Sequence, residues 1–157
     1  MKTLIGIPAE ARKVASEQLS ILLADEFVLY TKTLNAHWNV EGPDFFAAHQ
    51  FFESLYTEAV PLIDEVAERI RQLGHYVEGN LKTFLKITHL SEQYEGDSSS
   101  QSYTKDLLRD HESVIEFIRA SIEEFEETHK DAGTIDFITS IMEKHEKTAW
   151  MLRSHLK

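Results

Sequence analysis

The stretch His37–Gly74, HWNVEGPDFFAAHQFFESLYTEAVPLIDEVAERIRQLG, carries both the helical period and most of the chemistry of this chain. Its apolar residues Phe52, Leu55, Tyr56, Ala59, Ile63, Val66, Ile70 and Leu73 recur at spacings of three and four, the signature of a helix with one buried face. Gly42-Pro43-Asp44 breaks the chain before it, with proline tolerated in a first helical turn, and Gly74 closes it. Pro61 lies inside. It removes the bond to the carbonyl of Thr57, at about 3 kcal/mol in a regular helix interior. The stripe keeps its phase on both sides, which predicts a helix that bows there and continues.

Working outward, Leu19, Leu22, Leu23, Phe27, Tyr30 and Leu34 predict a preceding helix from about Glu10 to His37. Leu107, Leu108, Val114, Ile118, Ile122 and Phe125 predict a third. Ile138, Ile141, Met142, Ala149 and Leu152 predict a fourth, after a break at KDAGT with Thr134 as its N-cap. The links within the first and second pairs are short, so each pair is an antiparallel hairpin. The connection from Gly74 to Ser102 is long enough to cross a bundle and contains one short helical piece, LKTFLKITHL, then a polar loop, EGDSSSQS. The expectation is all-α: one domain over residues 1–157, a ferritin-like four-helix bundle with a short extra helix in the long crossover.

Composition narrows the function. The chain has 157 residues, 42% hydrophobic and 27% charged, which suits a single domain with a real core. No cysteine is present, so imidazole and carboxylate are the only strong metal ligands available. No apolar run approaches a membrane span and no leader is evident at the start, so the expected location is the cytoplasm, away from membranes. The net charge of −11 disfavours nucleic acid, because phosphate binding rests on basic side chains that displace counterions. The first fifteen residues hold only Lys2, Arg12 and Lys13 against Glu10, which is no basic arm.

The polar residues of the second helix share a face. At about 100° per residue, His49, Glu53, Asp64 and Glu68 fall within roughly a 100° arc. Glu53 and Asp64 are nonetheless separated by roughly 16 Å of helix, too far for one metal ion within one chain. The pairs His49–Glu68 and Glu53–Asp64 have a common midpoint, between Glu58 and Ala59. Two copies of this helix, antiparallel about a twofold axis there, would bring His49 and Glu53 of one chain to Glu68 and Asp64 of the other, twice over. His37 can join from the end of the first helix. Two imidazoles and three carboxylates suit iron(II) with positions open for an oxidant. A di-iron site inside one bundle needs a Glu-x-x-His motif on each of two helices, and only Glu126-x-x-His129 fits.

The run HWNVEGPDFFAAHQFFESLY, continued by IDEVAERIRQLG, resembles the signature of the miniferritins, the Dps family, over essentially the whole chain. The resemblance implies a hollow homododecamer in the cytoplasm. It implies iron(II) oxidation, preferentially with hydrogen peroxide, at di-iron sites between twofold-related subunits, with storage of the ferric mineral and protection against oxidative stress. Carried onto this chain, His37, His49 and Glu53 match the ligands of one subunit, and Asp64 and Glu68 those of its partner. Zinc or manganese could occupy the same ligands. Glu53 stands where many relatives carry aspartate. The resemblance also implies a radical sink at Trp38 and acid-lined threefold pores, for which Asp131, Asp136 and Glu127 are the candidates. His75, His89, His111, His129, His145 and His155 are expected to be surface or packing residues. Without a lysine-rich arm, strong DNA binding is not expected. The rival readings are a DNA-compacting structural protein, which the charge opposes, and a shell inactive in iron oxidation, which the full ligand set opposes.

Overall fold

The computed structural model describes residues 3–128, the side chain of Thr128 excepted, and 131–157. Among the described residues five helices run in the order α1 (Ala9–Asn39), α2 (Phe45–Gln72), α3 (Leu81–Ile87), α4 (Ser100–Thr128) and α5 (Ala132–His155). The pairs α1–α2 and α4–α5 are the two hairpins, and α3 sits in the crossover against α1. The fold is the expected ferritin-like four-helix bundle with its extra helix. Among the described residues the only β pairing is an isolated bridge between Glu41 and Ser99.

The core runs the length of the bundle, through Leu19, Leu22, Leu23, Phe52, Val66, Ile70, Leu107, Ile118, Phe125, Ile141 and Leu152. Helix α1 departs from the simple stripe. It packs on α2, α3 and α4 together, so its buried residues surround the helix and include Asp25, Glu26, Lys32 and Thr33, while Phe27, Tyr30 and Leu34 are only half-buried. A buried charge is costly unless paired, and each of these is paired. Asp25 accepts from Thr88 Oγ1 (2.6 Å) and the His89 amide (2.7 Å), pinning the crossover onto α1. Lys32 pairs with Asp106 at 2.9 Å and with Asp110 on α4. Burial pushes the Asp110 carboxyl above its ordinary range, and the Lys32 ammonium pulls it back.

Helix α2 passes through Pro61 unbroken, as its apolar phase requires. Thr57 and Pro61 both face outward, so the carbonyl that loses its helical donor lies on an open side. The helix begins only after Pro43, at Phe45, rather than with the proline in its first turn. Its far end is closed by Arg12, whose Nη1 donates to the Leu73 carbonyl at 2.7 Å. Gly74 there has φ +91, and a Cβ would run into the Thr3 side chain and the Arg12 guanidinium. At the start of α5, Asp131 is the N-cap and accepts from the Thr134 amide (3.2 Å) and hydroxyl (2.6 Å). Thr134 is therefore the capped residue, not the cap: the carboxylate three residues earlier starts the helix sooner and accepts from the orphan Thr134 amide with a full charge.

Candidate metal centre

His37 lies in the last turn of α1 and His49 in the early turns of α2, on either side of the turn through Val40–Asp44. That turn is held from the crossover: the Glu41 amide donates to the Ser98 carbonyl (2.8 Å), and Ser98 Oγ donates to the Glu41 carboxylate (3.0 Å). The two imidazoles stack, with centroids 3.8 Å apart and an interplanar angle of 19°. Each ring is tied to the other's backbone. His37 Nδ1 donates to the His49 carbonyl at 2.9 Å, and His49 Nδ1 donates to the His37 carbonyl at 2.8 Å. The His37 carbonyl is one of the last in α1, where helical donors run out, so His49 fills a helix-end vacancy.

This reciprocity fixes the chemistry of both rings. A carbonyl only accepts, so both Nδ1 atoms carry hydrogen. In a neutral ring Nε2 then presents a lone pair, the form a metal ion needs. A hydrogen bond from the non-ligating nitrogen to a backbone carbonyl is also how metal-binding histidines are usually oriented. His37 is buried and His49 half-buried, so the pair is held rather than free to swing. Phe45 stacks on His49 (5.1 Å) and Tyr56 sits edge-on to His37 (5.1 Å). The Tyr56 hydroxyl reaches Glu53 Oε1 at 3.5 Å. Desolvation and the Glu53 carboxylate hold the Tyr56 phenol above its usual value.

Glu53, Asp64 and Glu68 are exposed on α2. Glu53 follows His49 by one turn. Asp64 and Glu68 lie in the other half of the helix, beyond Pro61. Among the described residues, no three His, Asp or Glu side chains of the single chain gather where they could hold a metal ion. The chain thus brings His37, His49 and Glu53 into one neighbourhood and leaves Asp64 and Glu68 in another.

The remaining candidates divide. Trp38 is 67% exposed. Glu127 and Asp136 are exposed, whereas Asp131 is engaged as the α5 cap and lies 3.7 Å from Arg69 Nη2 of α2. His129, of the single Glu-x-x-His motif, falls outside the described residues. Two histidines prove more than packing residues. His145 Nε2 meets Glu26 Oε1 at 2.7 Å, and His145 Nδ1 meets His111 Nδ1 at 2.8 Å, all three side chains being buried. No spacing within one helix could have revealed this chain, because its members come from α1, α4 and α5. Tyr56 was legible only as a core position, although its place three residues after Glu53 puts it on the neighbouring face.

Comparison with known proteins agrees with this fold. The profile of the Ferritin family, a ferritin-like domain, matches residues 16–157. A low temperature-induced protein of Nostoc is 38% identical over 153 residues, covering 98% of this chain and 86% of that protein. DNA protection during starvation protein 2 of Bacillus anthracis is 36% identical, covering 92% and 97%. A Dps crystal structure from Vibrio cholerae, described as belonging to a broad superfamily of ferritin-like diiron-carboxylate proteins, superposes with a TM-score of 0.91 at 31% identity, covering 98% of this chain and 96% of that one. Fold, motif and relatives converge: the chain belongs to the ferritin-like family and, within it, to the Dps miniferritins.

Proposed function

We propose that this protein oxidises iron(II) at sites shared between twofold-related subunits and stores the ferric product inside a dodecameric shell. His37, His49 and Glu53 of one chain face Asp64 and Glu68 of another. The observation that carries this reading is the reciprocal histidine lock, which leaves two oriented Nε2 lone pairs one helical turn before Glu53, while among the described residues no third ligand of the same chain gathers with them. The symmetric placement of the α2 residues supplies what is missing when a second copy packs antiparallel. The outer face of α2 also carries an exposed Val60 beside Asp64, lining a groove with Ile63, Ala67 and Leu81 that a second helix would cover.

Iron is the substrate here, and the donor set fits it: imidazole nitrogen and carboxylate oxygen, with no thiolate. Zinc or manganese would find the same ligands. Two iron(II) ions held side by side each give one electron to hydrogen peroxide, whose O–O bond breaks to two waters with uptake of two protons. Pairing the metals is the protein's contribution, since it makes a two-electron reduction possible in one encounter. Peroxide is the preferred oxidant in this reading, and removing it together with iron(II) limits oxidative damage. Asp136 and Glu127, with Asp131 at the α5 cap, would line the route by which iron reaches the interior. Twelve chains each of charge −11 repel nucleic acid, so no gel shift is expected at physiological salt without divalent metal.

Stopped-flow oxidation of iron(II) by substoichiometric peroxide tests the reading. Wild type should consume two irons per peroxide rapidly. An Asp64→Ala, Glu68→Ala shell of unchanged size should fall to the rate of buffer, and equal rates would refute the proposal.

A further inference from the structure

The α1–α2 turn is tied at both ends to the last residues of the crossover, and one of the ties replaces a helix cap. Asp44 is the N-cap residue of α2, and aspartate is among the best side chains for that task, yet it makes no capping bond. Its Oδ2 instead accepts from the hydroxyl of Ser100, the first residue of α4. At the other end of the turn the Glu41 amide donates to the Ser98 carbonyl (2.8 Å), and Ser98 Oγ donates to the Glu41 carboxylate (3.0 Å). The two backbones pair beside them in the bridge between Glu41 and Ser99. Between the ties Gly42 has φ +130, a conformation that residues with a Cβ rarely adopt. The crossover end is itself firmly footed. The Tyr94 hydroxyl meets Ser102 Oγ at 2.7 Å, its ring stacks on Tyr103 (4.3 Å), and Tyr103 stands edge-on to Phe52 of α2 (6.3 Å).

We propose that Ser98 and Ser100 are positioning residues that set the metal affinity of the His37–His49 pair through the turn joining the two histidines. This inference rests on the proposed metal site. The turn is the covalent link between the helix end that carries His37 and the helix start that carries His49. Each ring bonds to the backbone of the other, so the spacing of the two Nε2 atoms follows the spacing of the two helix ends. Metal–imidazole bonds run close to about 2 Å, and a site holds its ion well only when its ligands sit within about 0.2 Å of that length. A turn tied at one end could still pivot. Ties at both ends, each a hydroxyl donating to a carboxylate and so stronger than a neutral bond, remove that freedom. The serines therefore act on the site from a distance, by holding the frame in which the imidazoles are locked.

Zinc titration of the intact, metal-free shell tests this, because zinc accepts the same ligands and undergoes no redox chemistry. By isothermal calorimetry the Ser98→Ala, Ser100→Ala shell should bind about tenfold more weakly than wild type at the same number of sites, the lower end of what outer partners of ligating histidines contribute. Ser98→Thr, Ser100→Thr keeps both hydroxyls and should restore the affinity. In iron oxidation the alanine shell should need about tenfold more iron(II) for half its maximal rate, with the saturated rate within about twofold of wild type, a split that a general loss of stability does not produce. Where the double alanine variant does not assemble, Ser98→Ala alone, which keeps the Ser100 tie, is held to the same outcomes. Zinc affinity unchanged by the alanines, or a loss that threonine does not recover, overturns the inference and leaves the ferroxidase reading intact. A wild-type shell that binds zinc no better than the His37→Ala, His49→Ala shell overturns the metal site and the inference together.

Discussion

Among the described residues two pairs of histidines are in contact, and they are built on opposite plans. His37 and His49 spend their Nδ1 hydrogens on backbone carbonyls and keep both Nε2 atoms for something outside the pair. His111 and His145 spend Nδ1 on each other, and His145 gives its Nε2 to Glu26. The first pair sits at the turn of the α1–α2 hairpin, one helical turn from the exposed Glu53. The second is sealed in the middle of the bundle. What separates a ligand pair from a structural pair is which nitrogens the fold has already used, not residue type.

That contrast can be broken by substitution. Replacing His37 and His49 with alanine should slow peroxide-dependent iron oxidation by at least about 100-fold, since even outer-shell partners of metal ligands are worth about 10–100-fold. Stopped-flow kinetics on an intact shell would show it. Glu26→Ala should do the reverse: iron oxidation per intact shell is retained, but stability falls by about 3 kcal/mol, because a buried partner is left unpaired. Denaturant titration measures that loss, and a loss near zero would mean the inner pair is not bound as described.

The pH response sharpens the comparison. Burial, with His145 beside it, holds the His111 pKa well below its ordinary 6.5. The folded chain therefore refuses a proton that the unfolded chain accepts. Stability should fall as pH drops below 6.5, by up to about 1.4 kcal/mol per pH unit from this group, until the folded pKa is reached. His111→Leu should flatten that part of the profile. The smallest effect belongs to Asp131. Asp131→Ala removes the α5 cap and should cost about 1 kcal/mol, while Asp131→Asn keeps an acceptor and should cost less. Comparing iron uptake in Asp131→Asn with Asp136→Asn then separates capping from any part in iron access.

The bundle was legible because its helices are long and their stripes hold phase, even across Pro61. The five candidate ligands can be named from the sequence because four of them lie on α2, where period alone places them on a face. Helix α1 is less legible. Its apolar stripe includes Phe27, Tyr30 and Leu34, yet three helices pack on it and bury Asp25, Glu26 and Lys32 as well. Those charges look like solvated positions until their partners arrive from the crossover, α5 and α4, far away in sequence. The reciprocal histidine bonds were invisible for a related reason: their acceptors are backbone carbonyls, which carry no letter in a sequence.

The central claim is that each site draws its ligands from two chains. Mixed shells test it most directly. Chains with His37→Ala and His49→Ala keep only the Asp64–Glu68 half, and chains with Asp64→Ala and Glu68→Ala keep only the histidine half. Each alone should assemble and be inactive. Assembled together in equal amounts at random, they should regain about a quarter of the wild-type sites, because half of all twofold interfaces are then mixed and each mixed interface has one complete site. Mixed shells as inactive as their parents would contradict the account, since ligands drawn from one chain cannot complement one another.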